Sequence, residues 1–186
     1  MKVLLTSCGL ETEEIKDKFI SFFNKDAAKI KAVFIPTAAV DADAIEVLPK
    51  CLNDLLKCGI NRKNVFVYDL HKPMLLKELS DYDVVYICGG NTEYLLERIN
   101  EQNFCETLNN FIKKDKIVVG VSAGSIIFAK NLKNNLGILH SNLYVHCSDD
   151  KCEATGFINL TKKSEIKLGN NQALVFENEN CAYIIE

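Results

Sequence analysis

The chain has 186 residues, 48% of them apolar, which is enough for one well-buried core and short for two. Its 22 basic and 25 acidic side chains give a net charge of −3, leaving no basic stripe for nucleic acid or for an anionic membrane surface. No apolar run approaches the ~18 residues of a membrane span, and "MKVLLTSCGLETEE" turns acidic too early for an export signal. The expectation is a cytoplasmic protein forming one domain, 1–186. Cys8, Cys51, Cys58, Cys88, Cys105, Cys147, Cys152 and Cys181 are scattered, mostly in apolar surroundings, and read as reduced thiols.

In chain order, "KVLLTS" (2–7) reads as a buried strand, and the segment after it carries Ile15, Phe19, Ile20, Phe22 and Phe23 at helical spacing. A second strand, "IKAVFIPTA" (30–38), precedes a helix with Ile45, Leu48, Leu52, Leu55 and Leu56 along one face. Further strands are expected at 64–70, 82–90 and 116–122, with helical segments near 73–79, 92–101 and 104–114. Strands apolar on both faces, alternating with helices, indicate an α/β fold with a parallel sheet covered on both sides. After about residue 131 the pattern changes to strands and turns. The last two strands resemble a hairpin across "NEN", and this third of the chain is expected to extend the sheet at one edge.

Chemistry concentrates at two corners. In "GVSAGSII" (120–127) a serine stands between glycines where an apolar strand turns into a helix. That is the layout of a nucleophile elbow, whose tight turn needs small flanking residues so that the serine Oγ projects from the sheet. The other corner is "CGGN" (88–91). In parallel sheets such corners meet at the carboxyl ends of the strands. Acyl transfer there needs two N–H groups aimed at the developing oxyanion; Ala123, following the serine, and Gly90 are the candidates. The competing reading of Gly89 and Gly90 is a plain turn into a helix capped by Asn91 or Thr92.

Serine needs a base, and the chain offers only His71, His140 and His146. His146 ends the alternating run "NLYVH", so a strand can deliver it to the sheet edge, and it is preferred over the other two. Cys147 and Cys152 stand in a C-x4-C spacing without a second pair, which argues against zinc. Neither a metal nor a cofactor is expected.

"YICGGNTEYLLERI", "VVGVSAGSII", "LGILHSNLYVH" and "NNQALVF" together resemble the peptidase E family of serine peptidases. The resemblance spans most of the chain and rests on the ordered pair GGNT and GxSAG. It implies Ser122 as nucleophile, His146 as base, Gly90 and Ala123 as the oxyanion hole, and a three-layer α/β/α sandwich related to class I glutamine amidotransferases. It also implies hydrolysis of short peptides with an N-terminal aspartate. Two departures bear on this. No Asp or Glu lies between Ala123 and Val145, where the family carries its third triad member, and Val145 stands where relatives often have proline. Gln172 and Asn171 are the candidates left for orienting the base, with Asp149, Asp150 and Glu153 as alternatives nearby. Aspartyl recognition asks for a forked cation, and the chain has only Arg62 and Arg98. Two other readings stay open: a non-catalytic binding module, with apolar C-terminal strands serving as a homodimer edge, and an amidase on the same fold.

Overall fold

The computed structural model describes residues 1–186, and a mixed sheet of eight strands organises it. β1 (Lys2–Thr6), β2 (Ala32–Ile35), β3 (Val65–Val67), β4 (Val84–Ile87) and β5 (Ile117–Val121) are parallel, in the spatial order β3-β2-β4-β5-β1. Beyond β1 the sheet continues antiparallel through β9 (Ala173–Phe176), β10 (Cys181–Ile185) and β7 (Gly156–Asn159). Two further strands, β6 (Asn142–Cys147) and β8 (Glu165–Gly169), form a separate parallel pair.

Strand periodicity splits the core into two layers. Val3, Leu5, Val33, Ile35, Val85, Ile87 and Val118 face one way, toward α4 (Thr92–Glu101), α5 (Phe104–Lys113) and the β6/β8 pair. Leu4, Phe34, Tyr86 and Val119 face the other, toward α1 (Glu13–Ser21) and α2 (Ala42–Lys57). Burying each such apolar side chain contributes about 1.5–3 kcal/mol, and both sheet faces must be covered because both are apolar. Two four-residue helices, α3 (Leu76–Leu79) and α6 (Ala123–Ile126), complete the set. The architecture is the expected α/β/α sandwich.

Two expectations need correction. The C-terminal third extends the sheet only through β9, β10 and β7, because Leu143, Ile166 and Leu168 bury the β6/β8 pair against one face instead. On α2, Leu55 is buried and Leu48 and Leu52 pack against the core as expected, but Ile45 is 51% exposed, and the buried stripe is completed by Cys51 and Asp54. A carboxylate can take this core position because its Oδ2 accepts hydrogen bonds from Tyr86 Oη (2.6 Å) and the Leu10 N–H (3.0 Å). No helix is long and apolar enough to cross a membrane.

Candidate active site

Ser122 is the first residue past β5, and its backbone adopts φ 49°, ψ −111°. That is a region normally left to glycine, at a cost of about 1–3 kcal/mol. The surroundings enforce it. The Ser122 N–H donates to Thr6 O at 2.9 Å, and Ser125 Oγ donates to the same carbonyl at 2.8 Å. The flanking glycines are there for close approach: a Cβ on Gly120 would lie 2.3 Å from Gly124 O, and one on Gly124 2.3 Å from Ile87 O. β5 and α6 therefore meet backbone to backbone, and the hydroxyl is left projecting from the turn.

Ser122 Oγ lies 2.9 Å from His146 Nε2. The histidine gets there by an irregularity in β6. Tyr144 pairs with Lys167 and Cys147 with Gly169, so two residues of β6 oppose one of β8, and His146 has φ 58°. Such a bulge re-aims a side chain that a regular strand would point elsewhere. Ser7 fixes the bulge to the end of β1: its hydroxyl donates to Leu168 O (3.2 Å) and accepts from the His146 N–H (3.4 Å). Upstream, the Asn131 amide both accepts from the Leu143 N–H and donates to Leu143 O.

His146 Nδ1 is 2.9 Å from Asn170 Oδ1. An amide oxygen there requires the hydrogen on Nδ1, which leaves the Nε2 lone pair facing the serine hydroxyl, as a base requires. Cys8 completes the cluster. Its Sγ lies 3.5 Å from Asn170 Oδ1, to which the thiol donates, and 3.6 Å from His146 Nδ1. Burial, and after it the charge of Glu11, pushes the Cys8 pKa up, which favours the neutral thiol.

The glycine corner abuts the serine. A Cβ on Gly89 would stand 3.0 Å from Ser122 Cβ, while Gly90, at φ 134°, has the Ala38 carbonyl where its own Cβ would be. Only glycine fits there. The Gly90 N–H has no acceptor within the protein, and the Ala123 N–H opens α6, where the first turn lacks intrahelical acceptors. Asn91 caps α4, its side chain accepting from the Tyr94 N–H.

The structure thus brings together Ser122, His146, Gly90 and Ala123. It does not bring Asn171 or Gln172 to the ring. Gln172 is buried and already engaged, its Oε1 accepting from the Gly169 N–H and its Nε2 donating to Glu153 O. Asn171 is exposed. Their neighbour Asn170 takes the position against His146 instead. Among the nearby acids, Glu153 pairs with Lys163, and Asp149 and Asp150 are exposed. His71 sits beside Asp69 beyond β3, and no group of three or more His, Cys, Asp or Glu side chains is gathered as for a metal.

The family model described as Peptidase family S51 matches residues 3–142. The chain belongs to peptidase family S51. Among curated relatives, an uncharacterized peptidase of Pasteurella multocida (strain Pm70) is 24% identical over 119 residues, 64% of this chain and 57% of the relative. Another, from Listeria innocua, is 26% identical over 99 residues, 53% and 47% of the two chains. The chain spans about half the length of these curated relatives. Among solved structures, a candidate peptidase E protein from Listeria monocytogenes EGD-e superposes with a TM-score of 0.73 at 19% identity, over 98% of both chains. A peptidase from an acI-B1 Actinobacterium gives 0.67 at 15% identity, over 98% of this chain and 86% of that one. These two similarities establish the shared fold. The S51 match contains Ser122, Ala123 and Gly90 but stops short of His146 and Asn170.

Proposed function

We propose that this S51 member is a serine peptidase that hydrolyses short peptides through an acyl-enzyme on Ser122. The observation that carries the reading is the 2.9 Å contact between Ser122 Oγ and His146 Nε2, made at a strained elbow. Oγ attacks the scissile carbonyl carbon as its proton passes to Nε2, and the carbonyl π electrons move onto oxygen. The resulting oxyanion is held by the N–H groups of Gly90 and Ala123, each such donor being worth on the order of 10²–10³ in rate. Collapse of the intermediate breaks the C–N bond, and the imidazolium returns its proton to the leaving amine. Water, deprotonated by the same Nε2, then cleaves the ester and regenerates Ser122.

Asn170 orients His146 without supplying a counter-charge to the imidazolium, so catalysis is expected to be slower than with a carboxylate in that place. The experiment is labelling by a fluorophosphonate serine probe at neutral pH, read by intact mass. Wild type should label, and Ser122→Ala and His146→Ala should not. A folded wild type that stays unlabelled would refute the nucleophile assignment and leave the binding-module reading. The N-terminal aspartyl preference implied by the family resemblance is a separate question, decided by the charges around the serine.

A further inference from the structure

The loops that meet at Ser122 are residues 7–12, 36–41, 88–91, 146–151 and 170–172. Apart from His146, their ionisable charges are Glu11, Asp41, Asp149, Asp150 and Lys151, an acidic balance. Neither arginine reaches them. Arg62 opens the short turn before β3, at the opposite end of the sheet. Arg98 lies two turns into α4, with Nη1 on Glu101 and Nη2 donating to Leu70 O at 2.6 Å. Lys50, on α2, is paired with Glu11. Lys72 follows β3, which stands three strands from β5, roughly 14 Å away at the usual ~4.8 Å strand spacing. The two helix starts at the corner are also taken: Asp41 accepts from the Ala44 N–H with Asp43 behind it, and Asn91 caps α4 with Glu93 behind it.

An apolar surface lies on the same side. Val40 stands two residues past Ala38, whose carbonyl touches the Gly90 backbone and accepts the Asn91 N–H at 2.7 Å. Val47 belongs to the α2 stripe of Cys51 and Asp54, at i, i+4 and i+7. Those two are buried, and Cys51 shares its hydrophobic layer with Cys88 of the glycine corner, yet Val47 is 49% exposed. The first turns of α2 therefore overhang the carboxyl end of the sheet. Val40, also 49% exposed, flanks them.

From this we infer that the residue on the acyl side of the scissile bond carries an uncharged aliphatic side chain, laid against Val40 and Val47, and not an aspartate. The inference rests on Ser122 being the nucleophile. An aspartyl carboxylate in that position would lose water and find no arginine fork to replace its hydration, with Lys50 paired to Glu11 and Lys151 preceded by Asp149 and Asp150, whereas a leucine side chain would cover two half-exposed valines. The rim acids would at the same time favour the cationic α-amino group of a short peptide.

The test compares diphenyl aminoalkylphosphonates bearing a leucine-like or an aspartate-like side chain, scored by the rate of Ser122 phosphonylation. Each rate is divided by that of a fluorophosphonate lacking a side chain, measured on the same protein. The leucine-like probe should react faster by about tenfold or more, and Val47→Arg should narrow or invert the ratio, with Val40→Arg as the second variant should the first fail to fold. An aspartate-like probe that reacts as fast or faster overturns the inference, as does a ratio that both arginine variants leave unchanged. Absence of fluorophosphonate labelling would instead remove the nucleophile reading, and this inference with it.

Discussion

Ser122 and Asn170 make separable predictions at the scale of single residues. Because the elbow holds Ser122 at φ 49°, any Cβ there costs about 1–3 kcal/mol, against the roughly 0.5–1 kcal/mol that glycine loses in chain entropy. Ser122→Gly should therefore be more stable than Ser122→Ala by about 1 kcal/mol, while neither variant labels; equal melting temperatures would mean that the elbow stores no strain. Asn170→Ala should lower kcat/KM on the order of tenfold or more by freeing the ring tautomer. Asn170→Asp adds the missing counter-charge, which stabilises the imidazolium. Relative to wild type, its plateau should rise and the acid limb of its pH profile should move to higher pH; an unmoved limb would show that residue 170 does not touch the base. Cys8, whose thiol pKa is raised by burial, should react with iodoacetamide more slowly than a free cysteine at pH 8, and should speed up as pH rises further. Once alkylated beside Nδ1, the protein should no longer label at Ser122. The meeting of Ser122 with His146 was legible because a turn of small residues and a strand-end histidine each leave a mark in the sequence. Asn170 left none: an amide has no charge to notice, and which of the residues 170–172 faces the ring depends on how that turn closes onto β1.

At the scale of elements, α2 shows where sequence patterning misleads. Its leucines suggested the buried stripe, but Asp54 lies in the core, held by Tyr86 on β4 and by the Leu10 N–H. This carboxylate ties α2, β4 and the loop that presents Cys8 into one unit. Burial is the largest influence on it and raises its pKa, partly offset by the two hydrogen bonds. A raised carboxylate pKa means that the folded state binds more protons than the unfolded one. Its contribution to stability is thus fully present below the unfolded value and is lost as pH rises through the folded one. Tyr86→Phe removes one of the two donors and should cost about 1–3 kcal/mol near neutral pH. The penalty should shrink once Asp54 is protonated, as urea titrations at pH 7 and pH 4 would show; a penalty equal at both would mean that the hydroxyl does not serve the carboxylate. The β6 bulge is likewise invisible in "NLYVHC", since alternation predicts a regular strand and the slip arises only when β6 pairs with β8 beside Ser7.

Across the whole molecule, the groups of the proposed site come from two parts of the chain that the sheet fuses. Residues 3–142, matched by family S51, hold Ser122 and both N–H donors, whereas His146 and Asn170 come from the residues that follow. The join is the β1/β9 ladder, with Thr6 opposite Ala173 and Leu4 opposite Val175, and one hydrophobic layer includes Val3, Leu5 and Val118 together with Leu143, Ile166 and Leu174. Parts sharing a sheet and a core have no boundary at which to separate, so they should unfold together. The chain has six tyrosines and no tryptophan, so tyrosine fluorescence reports the whole fold, while Ser122 labelling reports only the assembled site. In urea the two curves should share one midpoint. Leu174→Ala, at a fully buried position on β9, should cost about 2–5 kcal/mol and move both midpoints by the same amount. If labelling failed at lower urea than fluorescence, the C-terminal strands would form a unit of their own, and the distance between Ser122 and His146 would vary with the docking of that unit instead of being set by the core.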